Sequence, residues 1–398
     1  MKILGLQYLF DRCVDEEKII IFGCGKVGQE ILKQLHDKGI YPLAVFSNNP
    51  LNDQNNANDV HVQIPSNKFE GLKPLYVIAV IKEDYCYEMK KQLHSFGIDR
   101  NRIITLMDMQ HAYFSGFDIQ QRKEHLSNLY RTEFLREINW EKPKKYTEIL
   151  NYEKLFNSEQ TRIKHTLLAD KLTVKKYVEK KIGNKYLPKL IGAWEKVEDI
   201  EIDKLPDSFV LKCNHGSGMN IVVQDKKSVN WNEIKEQLDE WLKYCYSYVT
   251  GNFETQYENI SRKIICEEYI DGMNSVNPQY NVFCFGGYAK WICRLRSPHT
   301  LEERGRFYNT HWETEDFWFG YPLDNEIVQP PNNLDEIIDV AERLSKGIRH
   351  VRVDLYGLSD GSLKFSELTF TSWSGLKRFV PEYYDDLFGD LILKTPLE

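Results

Sequence analysis

The apolar positions of this chain change their spacing along its length, and the change divides it. Lys18–Phe22 reads K-I-I-I-F, a continuous apolar run of the kind that forms a strand buried on both faces. Gly23-Cys24-Gly25-Lys26-Val27-Gly28 follows at once, a G-x-G-x-x-G. Between Gly28 and Asp37 the apolar positions Ile31, Leu32 and Leu35 fall at helical spacing, and Pro42–Phe46 returns to strand character. Strand, glycine turn, helix and strand make a Rossmann-type opening. Further strands are predicted over Leu75–Ile81 and near Arg102–Leu106, with a helix through Tyr85–Phe96 between them. A parallel α/β domain is therefore expected over residues 1–112.

The pattern then alters. Phe117–Trp140 is charged with scattered apolar positions and predicts a helical linker, assigned to residues 113–145. From Ala169, A-D-K-L-T-V-K-K-Y-V-E-K-K-I-G predicts an amphipathic helix with Leu172, Tyr177 and Val178 inward and Gly183 past its end. Leu187–Ala193 reads as a short strand. Phe209–Leu211 and Ile221–Val223 flank Gly216-Ser217-Gly218, a hairpin pattern. Trp231–Tyr248 reads as a helix, and Lys263–Ile270 as a strand carrying an acidic pair. Tyr280–Phe285 and Tyr288–Leu295 are joined by Gly286-Gly287, a hairpin turn signal. Leu334–Lys346 is helical, and the strands His350–Leu355 and Leu363–Phe370 lie either side of an Asp360-Gly361 turn. The second region, residues 146–398, is thus α+β.

Composition narrows the function. Hydrophobic residues are 42% and charged residues 28% of the chain, as in ordinary globular proteins. A net charge of −7 argues against a general nucleic-acid binder. The 8 cysteines form no C-x-x-C pair, which argues against a zinc site or disulfide scaffold and for a reducing compartment. The N-terminal M-K-I-L-G-L-Q-Y-L-F has no cleavage pattern, and no apolar run is long enough to span a membrane. A cytoplasmic protein is expected.

Candidate chemistry sits at three places. Lys212 ends the strand that enters the Gly216-Ser217-Gly218 loop. Glycines let backbone N–H groups approach an anion and the ammonium supplies charge, so this stretch is either a phosphate-holding loop or a plain hairpin. It is not a Walker loop. The G-x-G-x-x-G lacks the acid that a dinucleotide site puts after its second strand, where Phe46-Ser47-Asn48-Asn49-Pro50 stands, so NAD is not expected. In the late hairpin, alternation puts Arg352 and Asp354 on one face, and likewise Glu367 and Thr369. Paired carboxylates with an arginine suit Mg²⁺ on nucleotide phosphates; the competing reading is a charge cluster on a wet sheet face. His215 is read as shaping its loop, and His299 and His311 have no spaced metal partners. The aromatic block Trp312, Phe317, Trp318, Phe319 and Tyr321 is read as core or lid packing rather than a saccharide platform.

These motifs, in order, carry a resemblance. They are A-D-K at Ala169–Lys171, L-P-D-S-F-V-L-K-C-N-H-G-S-G-M-N at Leu205–Asn220, I-C-E-E-Y-I at Ile265–Ile270, F-C-F-G-G at Phe283–Gly287, V-R-V-D-L-Y at Val351–Tyr356 and F-S-E-L-T-F at Phe365–Phe370. From about Glu141 onward the chain resembles the ATP-grasp superfamily, most closely its TupA-like branch, named for teichuronopeptide synthesis. Lys18–Leu106 resembles the small Rossmann-like modules attached to bacterial polysaccharide-biosynthesis enzymes. The resemblance implies a Rossmann-like domain followed by an ATP-grasp fold of two α+β lobes. It implies that Lys171 and Lys212 hold nucleotide phosphates under the Gly216, Ser217, Gly218 loop. By the same resemblance the backbone of Glu267, Glu268, Tyr269 and Ile270 reads adenine, with Asp271 reaching the ribose. Asp354 and Glu367 resemble paired magnesium ligands, with Thr369 where many relatives carry Asn, and Arg352 resembles the arginine that stabilises an acyl-phosphate step. Asn281 stands where the branch commonly has a lysine; Arg294, with Arg296, either replaces that cation or faces solvent.

The implied activity is ATP-dependent carboxylate–amine ligation in capsule or other surface-polysaccharide assembly, with ATP and Mg²⁺ as cofactors. The partners would be a small-molecule or glycan carboxylate and an amine, with a sugar nucleotide at the N-terminal domain. A sugar or glycan kinase, or a non-catalytic nucleotide-binding protein, are the alternatives.

Overall fold

In the computed structural model, which describes residues 3–12, 18–50, 60–270 and 277–396, the K-I-I-I-F run becomes a central parallel strand. The chain divides into two units, Met1–Asp118 and Ile119–Glu398. The first contains α1 (Leu6–Arg12), β1 (Ile19–Phe22), α2 (Lys26–Asp37), β2 (Ala44–Phe46), β3 (Val62–Gln63), β4 (Leu75–Ile78), α3 (Glu83–Ser95), β5 (Ile103–Thr105) and α4 (Leu106–Ser115). Its sheet is parallel, in the order β3-β2-β1-β4-β5. Both faces of β1 are covered: Ile19 and Ile21 pack with Ile31, Leu32 and Leu35, while Ile20 and Phe22 pack with Phe46 and Tyr76. That two-sided burial is why the run is apolar without alternation.

The glycine motif does steric work here. A Cβ on Gly28 would lie 1.9 Å from the Gly23 carbonyl oxygen, whereas one on Gly25 would meet nothing within 4 Å. Gly28→Ala is expected to destabilise the protein by about 3 kcal/mol, and Gly25→Ala, at the helix N-cap, by under about 1 kcal/mol, in urea unfolding. Equal effects would remove the packing explanation. After β2 the turn is made by Ser47, whose hydroxyl accepts from the Asn49 N–H at 3.0 Å.

The second unit opens with α5 (Ile119–Phe134), α6 (Tyr146–Phe156), α7 (Glu159–Ala169) and α8 (Val174–Ile182). The single amphipathic helix expected from Ala169 is a correction: residues 170–173 form a turn between α7 and α8. The Asp170 carboxylate takes the Leu172 N–H at 2.8 Å and, at the same distance, the Asn214 amide. Those bonds hold Asp170 extended, at φ −69° and ψ 114°. Val178, as predicted inward, is buried.

A small antiparallel sheet follows, β6 (Leu190–Trp194), β7 (Phe209–Cys213), β8 (Asn220–Val223) and β9 (Ile264–Glu268), in the order β6-β9-β7-β8. The helix expected over Trp231–Tyr248 is two helices, α9 (Trp231–Lys243) and α10 (Tyr246–Thr250). The large sheet has β10 (Gln279–Phe285), β11 (Tyr288–Arg296), β12 (Arg304–Asn309), β14 (His350–Gly357) and β15 (Leu363–Thr369), in the order β12-β11-β10-β14-β15. β13 (Trp318–Phe319) pairs with β16 (Phe379–Val380), and α11 (Leu334–Ser345) and α12 (Tyr383–Lys394) complete the unit.

Each face of the large sheet is apolar only part of the way along. On one face Val282, Ile292, Val351, Val353 and Leu355 pack with Val340 and Leu344 of α11. On the other, Phe283, Phe285, Trp291 and Phe307 pack with Phe319 and Phe388, the Trp291 and Phe388 rings stacking at 4.1 Å. Phe317, Phe319 and Trp312 are therefore core residues, as the packing reading expected. Two residues further along, the first face turns polar on β11 and β12, with Arg294 opposite Arg306, and the second turns polar on β10, β14 and β15, with Asn281, Asp354 and Glu367 side by side; the site lies on the second. No described helix is long and apolar enough to cross a membrane.

Candidate functional site

In β7, Phe209, Leu211 and Cys213 point into the core of the small sheet, so period two leaves Lys212 on the opposite face. There its Nζ lies 2.7 Å from Glu267 Oε2 of β9. The other Glu267 oxygen pairs with Lys175 of α8. Glu267 is buried, and burial opposes its charge; Lys212 and Lys175 outweigh that and hold its carboxyl down to about 2. Linkage sets the sign of the consequence. A depressed carboxyl adds stability above its unfolded value, and that stability is lost as pH falls through the folded one. From an ordinary 4.5 to about 2, this group accounts for about 3 kcal/mol, lost between about pH 5 and pH 2. Urea melts of Glu267→Gln should show a flatter stability profile across that range; an unchanged slope would remove the ion triad as its source.

Lys171 sits in the turn between α7 and α8. Its backbone N–H donates to the Asn214 carbonyl at 3.2 Å, and its Nζ donates to the Gly216 carbonyl. Asn214, wholly buried, also donates to the Ser261 carbonyl at 3.0 Å and accepts the Lys263 N–H at 2.7 Å. The root of the glycine loop is thereby tied to two other segments. A Cβ at Gly216 would come within 2.9 Å of the Tyr246 ring, and Gly218 adopts φ +75°, a conformation open to glycine. His215 donates through Nε2 to the Trp241 carbonyl at 3.1 Å. Burial pushes its pKa down to about 4, so it is a neutral element of the loop, as expected.

The second group lies on β14 and β15. Register pairs Arg352 with Thr369 and Asp354 with Glu367. Arg352 grips Asp354 with two bonds, Nε to Oδ1 at 2.7 Å and Nη2 to Oδ2 at 2.6 Å. The Thr369 hydroxyl accepts from Arg352 Nη2 at 3.1 Å and lies 3.1 Å from Glu367 Oε1 and 3.3 Å from Asp354 Oδ2. This is a buried cluster, not a wet face: Asp354 is fully buried and Arg352 8% exposed. Burial raises the Asp354 carboxyl to about 6, and the two guanidinium bonds from Arg352 pull the other way, favouring its charged form. Burial would also raise Glu367, but Lys171 first and Arg352 second hold it below the ordinary carboxylate value. Burial lowers the Lys171 pKa, and Glu367 is the first charge opposing that. Lys171, in the turn tied to the glycine loop, and Glu367, on the large sheet, thus each favour the other's charged form.

Among the described residues no group of three or more His, Cys, Asp or Glu is set to hold a metal ion. Asp354, Glu367 and Thr369 are nevertheless an oxygen-donor set of the kind hard divalent cations take when a ligand's oxygens and water complete the shell. Two of about four acceptor positions on Asp354 are taken by Arg352, which leaves Glu367, half-exposed, the more open donor.

Other expected residues fall elsewhere. Arg294 does not join this cluster: its cross-strand partners are Tyr280 and Arg306, on the face away from Asn281 and Asp354. It lies instead 3.7 Å from Asp324. Asn281 donates to Tyr321 OH at 3.2 Å and accepts from Gln279 at 2.7 Å, a buried polar link where the branch's lysine was expected. Glu267 and Glu268 lie in a strand with neighbours on both sides, and the Glu268 N–H donates to the Lys189 carbonyl at 3.0 Å. That N–H is therefore engaged in the sheet. Tyr269 accepts from Gln224 at 2.9 Å through its hydroxyl; Ile270 follows it, and Asp271 lies outside the described residues.

Several site residues had not been singled out. Lys175 stands one helical turn after Lys171, so i,i+4 spacing was its signal. Glu254, 6% exposed, accepts from the Thr371 and Ser374 hydroxyls, the latter at 3.0 Å. Buried Lys154, its pKa pushed down to about 8 by burial, donates to the Ser374 carbonyl at 2.7 Å. They clamp a turn in which Trp373 and Ser374 adopt φ +52° and +53°, directly after Thr369. His299, at φ +64°, hydrogen-bonds with Tyr356 OH at 2.8 Å. Nothing local in the sequence links these pairs.

The sequence model of the family described as TupA-like ATPgrasp matches residues 148–393. No curated protein matches the chain. Among solved structures, D-alanine–D-alanine ligase from Bacillus anthracis complexed with ATP is 16% identical, over 95% of this chain and 96% of that one, with a TM-score of 0.36. An L-amino acid ligase from Bacillus licheniformis is 14% identical, over 96% and 76%, at 0.37. N5-carboxyaminoimidazole synthase from Aspergillus clavatus, in complex with ADP and its ribonucleotide, is 12% identical, over 96% and 78%, at 0.33.

Proposed function

Since the chain belongs to the TupA-like ATP-grasp family, we propose that it is an ATP-dependent carboxylate–amine ligase working in bacterial surface-polysaccharide assembly, such as capsule formation, in the cytoplasm. What supports this is two charged groups, Lys212 and Lys175 on Glu267 beside the glycine loop that Lys171 holds, and Asp354 and Glu367 with Arg352.

In this reading Lys171 and Lys212 hold ATP phosphates, and the Gly216-Ser217-Gly218 loop covers them. Asp354 and Glu367, with Thr369, would hold Mg²⁺, which would supply charge neutralisation on the phosphates. A substrate carboxylate oxygen attacks the γ-phosphorus and ADP leaves. The amine nitrogen then attacks the acyl-phosphate carbonyl, the C–O bond to phosphate breaks and the amine loses a proton. Arg352 offsets the charge that develops in these steps. The chain's contribution is positioning and electrostatics in a site screened from water. Residues 1–112 form a separate module for a sugar nucleotide, joined through 113–145 to the ligase domain.

The test uses ATP, Mg²⁺, hydroxylamine and a panel of sugar acids and amino acids. Hydroxamate together with ADP supports the ligase. A stable phosphorylated product formed without any amine would make it a kinase, and nucleotide binding with no ADP across the panel would make it a binding protein.

A further inference from the structure

Beyond the apolar part of the sheet face that carries Ile292 and Tyr308, strands β11 and β12 present R-L-R and R-G-R in phase. Arg294 stands directly opposite Arg306, and Arg296 opposite Arg304. Like charges placed opposite each other across a ladder destabilise it, and here two such pairs are adjacent. All four side chains are part-exposed. Among the described residues their carboxylate ion partner is Asp324, which is 2% exposed. It lies 3.1 Å from Arg296 and 3.7 Å from Arg294. Arg306 donates to the Asp324 carbonyl at 2.7 Å and Arg304 to the Glu303 carbonyl at 2.8 Å. Among the described residues, neither Arg304 nor Arg306 has a carboxylate ion partner. Glu303, the nearest acid in sequence, accepts the His299 N–H at 3.3 Å. The result is a grid of guanidinium groups whose roots are spaced about 5 Å across and about 7 Å along the strands, with a single counter-charge.

We propose that this grid binds a linear polyanion through several of its carboxylate or phosphate groups at once. Guanidinium forks match both oxyanions, and the grid is too wide for one small anion to engage all four arginines. The aromatic residues beside it, Tyr280, Tyr308 and Trp312, are buried. That removes the stacking platform a single-stranded nucleic acid would use, and the net charge of −7 confines attraction to the grid. The hairpin that carries the grid turns through the loop of His299, which bonds Tyr356 on the strand of Arg352 and Asp354. The grid itself lies on the face of the sheet away from Arg352 and Asp354, so binding to it does not depend on the proposed ligase activity.

The experiment is fluorescence anisotropy on the full chain, without ATP, using labelled poly-L-glutamate and labelled polyphosphate at rising salt. Binding of either, weakening with salt, supports the proposal, and the preferred probe identifies the oxyanion. Arg304→Gln and Arg306→Gln should each weaken binding about tenfold, while Arg304→Lys retains part of it. No binding at physiological salt, binding by both Gln variants as tight as by the unaltered protein, or equal competition by free glutamate or inorganic phosphate per anionic group would each overturn it. Tighter binding of a mixed-sequence oligonucleotide than of either probe would do the same.

Discussion

A Glu367→Gln protein should fold normally and lose roughly 10²–10³-fold in ATP turnover. The exchange keeps the shape of the side chain and removes one charge. Glu367 is half-exposed, with Oε1 3.1 Å from the Thr369 hydroxyl and 3.7 Å from Arg352, so little packing is lost. What goes is the carboxylate that Lys171 and Arg352 keep ionised and that would take a divalent cation. The readout is ADP release at saturating ATP, beside a thermal melt that should barely move. Full turnover would end the assignment of Glu367 as a metal ligand. An unfolded protein would show instead that its charge is structural.

The second large effect is on stability. Arg352→Ala should cost about 3–5 kcal/mol, because it leaves Asp354 buried without its counter-charge, and Asp354→Ala about 2–4 kcal/mol, because Glu367 remains 3.7 Å from Arg352. The geometry makes this a strong case: both guanidinium bonds are at or below 2.7 Å, and Asp354 has no exposed surface. Replacing both residues by apolar side chains of similar volume should recover most of the loss, while ATP turnover stays abolished. Urea denaturation of the two single variants and the double variant measures this. Single variants as stable as the double one would mean that the pair is solvated and the burial argument fails.

The late hairpin was legible because two local rules fixed it. Period two put Arg352 with Asp354 and Glu367 with Thr369, and the Asp360-Gly361 turn set the strands close to register. The apolar run of β1 and the glycines after it were legible for the same reason, since both constraints lie within ten residues. What escaped was set by distant partners. The break at Asp170 answers to Asn214, 44 residues away, and a helical pattern across Ala169–Ile182 carries no sign of it. Glu254 answers to Thr371 and Ser374 across more than a hundred residues. Arg294 was misplaced by a different fault: its strand was identified, but its side was not. Alternation gives relative faces within a strand, and only the pairing Asn281 to Cys293 shows that Arg294 looks away from Asp354.

The ion triad on Glu267 has a consequence for how the two charged groups act on each other. Counted in formal charges, Lys171, Lys175 and Lys212 with Glu267 leave that wall at +2, and Arg352 with Asp354 and Glu367 leaves the other at −1. Opposite walls attract. In the proposed reading a nucleotide's phosphates would take over lysines that Glu267 and Glu367 neutralise, so binding would exchange ion partners rather than fill free positive charge. The charge that would hold the ligand is then the charge that draws the two walls together, and added salt would weaken both.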